Sequence, residues 1–268
     1  MENKKVILKN GQAKVIDSKR INMLTDFLRR INKEGITKEL REEGLDIVKS
    51  IDPLELSIAE QNLIDDGMEP SELRHLCDIH MEVLKDELEK IKNKLETGHV
   101  VNTLIVEHDK ILEFLSMLED LNNKVQALDE IKGNEEYINK LHFAIDNILD
   151  AEKHHQREED VLFKELEGDG ITGPTRIMRM EHDDLRGKKR EIKELLNCIN
   201  YMDFDDFKER LQDLTAYLVF NLRDHIFKEN TILYPTAIDS INDDSRWDDM
   251  RRRCDEIGYC GFTPKDII

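Results

Sequence analysis

The sequence predicts an all-α protein, an up-down-up-down four-helix bundle preceded by a small helical domain. Three observations predict it. Charged residues make up 37% of the 268-residue chain and hydrophobic residues 39%, with only 12 glycines and 5 prolines. That is the composition of long helices with one apolar stripe and one solvated face. Apolar residues recur at three- and four-residue spacing through long stretches free of breakers. Finally, His154-x-x-x-Glu158 and His225-x-x-x-Glu229 each place two polar side chains one turn apart on a helix face.

In chain order, residues 1–17 carry two short apolar runs, Val6-Ile7-Leu8 and Val15-Ile16, around Asn10-Gly11. Asn-Gly between such runs is a hairpin signal. Residues 18–96 read as a small helical domain. Ser18 caps a first segment through Leu28, and Thr37 caps a second through Val48. Asp52-Pro53 opens a third through Ile64, and Glu69-Pro70-Ser71 a fourth to about Leu95. The fourth carries His75, Cys77 and His80; His75 and Cys77 are two residues apart and face apart, which is no zinc pattern, so Cys77 and His80 are expected to be packing residues.

Gly98-His99 opens the bundle, expected over residues 97–238. Its four helices are expected at about 99–126, 135–166, 174–200 and 204–234, the last ended by Tyr234-Pro235. Short connections make consecutive helices antiparallel neighbours. Residues 239–268 form a tail with one short helix, capped at Asp243-Asp244-Ser245 and running through Cys254.

A formal charge of -19 argues against nucleic acid as a partner. No apolar run reaches the roughly 18 residues of a membrane helix, and no signal peptide follows Met1, so a cytoplasmic protein is expected. The four cysteines are then expected to be reduced thiols. No Gly-rich phosphate loop and no nucleophile triad stands out.

The chemistry lies in a repeat. Glu107-His108-Asp109 resembles Glu181-His182-Asp183, and His154 to Phe163 aligns with His225 to Tyr234. The order His, then His-x-x-x-Glu, occurs twice, at intervals of 46 residues (108 to 154) and 43 residues (182 to 225). Facing one another across a bundle core, His108, His154, Glu158, His182, His225 and Glu229 offer four imidazoles and two carboxylates. That donor set suits iron, with manganese or zinc possible in the same ligands. Two matched half-sites are a natural container for two ions. His155 and Glu159 form a competing i,i+4 pair, which the apolar stripe of Leu141, Ile145, Ile148, Leu162 and Leu166 favours. The repeat selects His154, because Leu162-Phe163 follows it by eight and nine residues, as Leu233-Tyr234 follows His225. His155, Glu159, His99 and Met178 are left as flanking groups or alternates. His142, about a third of a turn off the face of His154, is expected at the surface.

These residues carry a family resemblance. Residues 99–238 resemble the hemerythrin-like HHE cation-binding domain through Glu107-His108, His154 to Phe163, Glu181-His182 and His225 to Pro235. The resemblance implies two iron ions in a non-haem centre bridged by carboxylates and an oxo or hydroxo group, with O2, NO or peroxide as the small ligand. Where the invertebrate oxygen carriers of that family offer a second His on the third helix, this chain has Met178. Their fourth-helix carboxylate is an Asp one residue beyond the position of Glu229. The ligand set is closest to the Ric-type iron-centre repair proteins of bacteria, whose Cys-Pro-Cys-type motif is absent here. Residues 20–95 resemble an uncharacterised helical domain found ahead of hemerythrin-like and PAS domains in anaerobes, which implies a protein partner for that part. The expectation is a di-iron protein that binds or senses O2, NO or peroxide. The alternatives are an iron donor or O2- or peroxide-reducing enzyme, and a helical interaction module with a vestigial site.

Overall fold

The computed structural model describes residues 4–7, 13–16, 18–35, 37–48, 59, 62–63, 66–67, 95–241 and 243–267. The chain divides into two compact units, Met1–Lys90 with Phe227–Ile232, and Ile91–Ile226 with Leu233–Ile268.

In the first unit, strands β1 (Lys4–Ile7) and β2 (Ala13–Ile16) pair antiparallel, with Lys4 opposite Ile16 and Ile7 opposite Ala13. The expected Asn10-Gly11 turn lies outside the described residues. Helix α1 (Ser18–Glu34) buries Ile21, Leu24, Phe27, Leu28 and Ile31, one face at helical spacing. It ends at Gly35, whose φ of 71° and N–H bond to the Ile31 carbonyl close the last turn. The Thr37 hydroxyl then accepts the Leu40 N–H at 3.1 Å and opens α2 (Lys38–Val48). The cluster of His75, Cys77 and His80, and most of the two helices expected after Asp52, lie outside the described residues.

The helices from Val100 onward form the bundle. Its α3 spans Val100–Gln126 and its α4 Glu135–Asp150. After a turn at Ala151 come α5 (Glu152–Arg157), a π-helical turn (Glu158–Leu162) and α6 (Phe163–Gly168). Next are α7 (Gly173–Asn197) and α8 (Phe204–Lys228), which runs into a second π-helical turn, Glu229–Leu233. The sequence expectation ended this helix at Tyr234-Pro235, and the structure corrects it. The chain continues as α9 (Tyr234–Ser240), with Pro235 in the first turn, where the missing N–H has no helical partner to lose.

Two apolar clusters make the core. One holds Ile111, Leu115, Leu141, Ile145, Ile148, Leu185, Leu218 and Ile226; the other holds Leu104, Ile105, Val161, Leu162, Met178 and Leu233. On α3 the clusters are separated by Glu107 and His108, on α5 by His154 to Glu158, and on α7 by Glu181 and His182. The polar residues thus form one buried layer between two dry ones.

The tail forms α10 (Asp244–Ile257), capped by Asp243, which accepts the Ser245 N–H. Met250 and Cys254 enter the second cluster, and Arg246 and Arg253 pair with Glu165 of α6. Among the described residues no helix is long and apolar enough to cross a membrane.

Candidate metal centre

His108, His154, Glu158 and Glu229 are buried and each offers a ligand atom within 4.8 Å of the others. His182 and His225 form a second such group that shares Glu229. The structure therefore brings together the six residues singled out by the repeat. Glu158 Oε2 lies 3.5 Å from both His154 Nε2 and His182 Nε2. One carboxylate oxygen thus faces both groups.

The opposite edge of three imidazoles is fixed by a carboxylate. His154 Nδ1 stands 2.8 Å from Glu107 Oε2, His182 Nδ1 2.7 Å from Glu159 Oε1, and His225 Nδ1 2.8 Å from Glu181 Oε2. Such pairs hold the ring tautomer so that Nε2 points inward with its lone pair. Glu107 and Glu181 are the residues just before His108 and His182. Each orients the imidazole of the following helix, a role the sequence reading missed. The signal was there, because Glu-His occurs at the same place in both halves of the repeat.

Glu107 is held in turn. Arg157 Nη2 donates to both of its oxygens at 2.6 Å, and the Thr263 hydroxyl donates at 2.5 Å. Burial alone would raise the Glu107 pKa; His154, Arg157 and Thr263 outweigh it and hold it at about 2. The tail closes over this pair. The Arg157 guanidinium lies 4.7 Å from the centre of the Tyr259 ring, and its Nη2 is 3.9 Å from Cys260 Sγ. Burial pushes the thiols of Cys254 and Cys260 up to about 12, so they are protonated packing groups.

The remaining sequence candidates fall outside the two groups. His155 is buried and stacked on His182 at 4.1 Å between ring centroids. Burial, with Lys189 and the neighbouring imidazoles behind it, keeps its pKa well below the ordinary value. Glu159 orients His182, and Arg186 braces it at 2.8 Å. His99 caps α3, its Nδ1 accepting the Val101 N–H at 3.2 Å. Met178 is an apolar core residue. His142, expected at the surface, is half-buried beside Lys193, 3.1 Å away. Tyr234, which the sequence reading used to set register and to end the last helix, donates to Glu158 Oε1 at 2.6 Å.

The family described as hemerythrin HHE cation binding domain matches residues 99–237. The chain belongs to this family. A family of unknown function (DUF438) matches residues 24–90. No curated protein matches the chain.

The residues of this HHE bundle fit a cation. His154 Nε2 and Glu158 Oε2 are buried with no hydrogen-bond partner, although polar atoms in such positions are costly to leave unsatisfied. Burial alone would depress His154; Glu158 and Glu107 outweigh it and lift its pKa to about 9. The carboxylates around His154 thus favour positive charge at this point of the layer. The donors are imidazole nitrogen and carboxylate oxygen without thiolate, a set suited to iron, manganese or zinc.

Proposed function

We propose that the HHE bundle holds two iron ions and binds O2, NO or peroxide as a small ligand, in a sensing role. The observation that carries this reading is the sharing of carboxylates. Glu229 belongs to both ligand groups, and Glu158 Oε2 is equidistant from His154 and His182. A single-ion site has no use for two imidazole groups joined in that way. His108 and His154 would hold one ion and His182 and His225 the other, with Glu158 and Glu229 available to both.

When bound, iron supplies reversible redox chemistry and a coordination position for an exogenous ligand. The chain does the rest. Glu107, Glu159 and Glu181 keep three imidazoles in the tautomer that presents Nε2. The apolar layers on either side exclude water and keep the carboxylates strongly felt. The test is metal analysis and a visible spectrum of protein purified without oxygen, then exposed to air or NO. Two irons per chain and a spectrum that changes with either gas are expected. A spectrum unaltered by both would overturn the proposal. Release of the iron to an apo-cluster protein on the same timescale would favour an iron donor instead.

A further inference from the structure

The carboxylates that steady the imidazoles are not equally covered. The Glu181 side chain, which stands against His225, is 28% exposed, whereas that of Glu107, its counterpart in the repeat, is 0% exposed. Over Glu107 lies the tail. Residues 258–267 follow α10 without forming a helix or a strand, and their contacts are with α3, the end of α4 and α5.

Side chains fasten this segment along its length. Lys153 donates to the Tyr259 carbonyl at 3.0 Å, and the Gly261 N–H donates to Asp150. The Phe262 ring meets Phe114 edge-on at 5.4 Å between centroids, and the Thr103 hydroxyl donates to the Ile267 carbonyl at 3.3 Å. Between these anchors Thr263 is buried, with its hydroxyl donating to Glu107 Oε1 at 2.5 Å. A short irregular segment held in this way opens at lower cost than the helices beneath it. Opening takes the Thr263 hydroxyl from Glu107 and admits water to the Glu107–Arg157 pair. Glu107 Oε2 is then no longer confined against Nδ1 of His154, and Nε2 of that ring loses its fixed aim.

We propose that residues 258–267 are a strap coupled to the metal centre through Thr263, so that closing the strap and filling the His108–His154 group with metal favour one another. This rests on the metal-binding reading above and gives that centre an outlet at the end of the described chain. Thr263 is a positioning residue that acts through Glu107 on His154. The coupling is reciprocal: the factor of affinity lost when the strap opens is the factor by which bound metal suppresses opening. Removing a group that directly orients a metal-ligating imidazole costs about 10–100-fold in affinity, and Thr263 stands one step further back, so about tenfold is expected.

The experiment compares the full chain without metal and loaded with ferrous iron in the absence of oxygen. Hydrogen exchange read by mass spectrometry follows the peptide that holds residues 258–267, and competition with a coloured chelator gives the iron affinity. Metal analysis comes first, and a chain that takes up no iron would overturn the metal-binding reading and this proposal with it. With iron bound, exchange in the strap is expected to slow about tenfold, the reciprocal of the affinity at stake. Strap exchange that iron leaves unchanged would overturn the proposal while the metal-binding reading stands. Thr263→Val keeps the shape and removes the donor. It is expected to bind iron about tenfold more weakly, with a strap that exchanges at nearly the same rate loaded or empty. Thr263→Ser restores the hydroxyl and is expected to behave as wild type. Wild-type affinity in Thr263→Val, or a loss in Thr263→Ser equal to that in Thr263→Val, would overturn the role of the hydroxyl. Should Thr263→Val fail to fold, Phe262→Ala loosens the strap without touching Glu107. It is expected to weaken iron by the factor by which it speeds strap exchange in the loaded protein, and unchanged affinity with a loosened strap refutes the coupling.

Discussion

Replacing Glu107 by Ala tests whether the layer around the imidazoles is also what holds the bundle together. Glu107 is 0% exposed and Arg157 is 1% exposed. The guanidinium donates to both carboxylate oxygens, and its other polar contacts are the Lys153 carbonyl at 3.2 Å and Cys260 at 3.9 Å. Removing the carboxylate leaves a buried, largely uncompensated cation, which costs about 3–5 kcal/mol. At roughly 2–4 °C per kcal/mol for a domain of this size, the melting temperature should fall by about 6–20 °C. The assay is thermal unfolding of metal-free protein by circular dichroism, so that lost metal cannot account for the shift. Lys110→Ala is the contrast. Its pair with Glu113 is exposed at 3.0 Å and should be worth less than about 1 kcal/mol. Glu107→Leu with Arg157→Met should recover most of the loss, because a buried pair replaced whole by apolar groups leaves no stranded charge. The same pair sets an acid limit. Glu107 titrates below its ordinary 4.5, at about 2, so its contribution is complete above pH 4.5 and is lost as pH falls towards 2. A Glu107→Ala protein melting within about 2 °C of wild type would refute the reasoning, since even 1 kcal/mol moves a domain that far.

Four further outcomes are expected. Gly258→Ala should cost about 1–3 kcal/mol by chemical denaturation, because φ 87° and ψ -178° at the end of α10 belong to a region that is essentially glycine-only; an unchanged midpoint would count against it. Thiol labelling at pH 8 should modify exposed Cys198 quickly and Cys254 and Cys260 only on unfolding, as read by peptide mass mapping. Above pH 9 the buried thiols should also erode stability, since each titrates at about 9 in the unfolded chain and about 12 in the folded one. His154→Ala should remove metal from the His108 group while leaving the metal-free melting temperature within a few degrees, about the effect of one lost core contact; full iron retention would refute its role.

The bundle was legible because its helices are long, capped and periodic. Residue 99 as a start, Thr37 as a cap, and the breaks near Gly133 and Gly168 are local chemistry, readable without partners. The ligand layer was legible because it is written twice. Other features were hidden because they depend on contacts between residues far apart in sequence. Arg157 sits among histidines and acids that could have paired with it on its own helix, yet its partner is Glu107, 50 residues earlier. Thr263 joins the same carboxylate from 156 residues later. Nothing in the tail's composition marks it as part of the centre. The continuation of α8 past Tyr234-Pro235 was misread for a different reason. Proline signals a helix end only when its N–H would have been used, and the π-helical turn before it removes that condition.

That turn also resolves the conflict between the two sequence signals at His154 and His155. On a straight α-helix each residue advances about 100°, so Leu162 and Leu166, seven and eleven residues after His155, lie on its face. By the same count they lie about 80° and 120° away from His154. The Phe163 N–H, however, bonds to the Glu158 carbonyl, five residues back, so this turn absorbs one extra residue. An extra residue subtracts about one helical step, and the two leucines return to the face of His154. Upstream, Ala151 with ψ 0° already interrupts the helix, so the stripe of Leu141, Ile145 and Ile148 need not continue in phase. Apolar periodicity therefore pointed to His155 because it assumed a regular helix through the one turn that is not regular. A π-helical turn stores an insertion that leaves the hydrogen-bond ladder intact while re-aiming the side chains beyond it. Here it begins at Glu158 and recurs at Glu229, so both carboxylates and both dry layers keep their places in the same bundle.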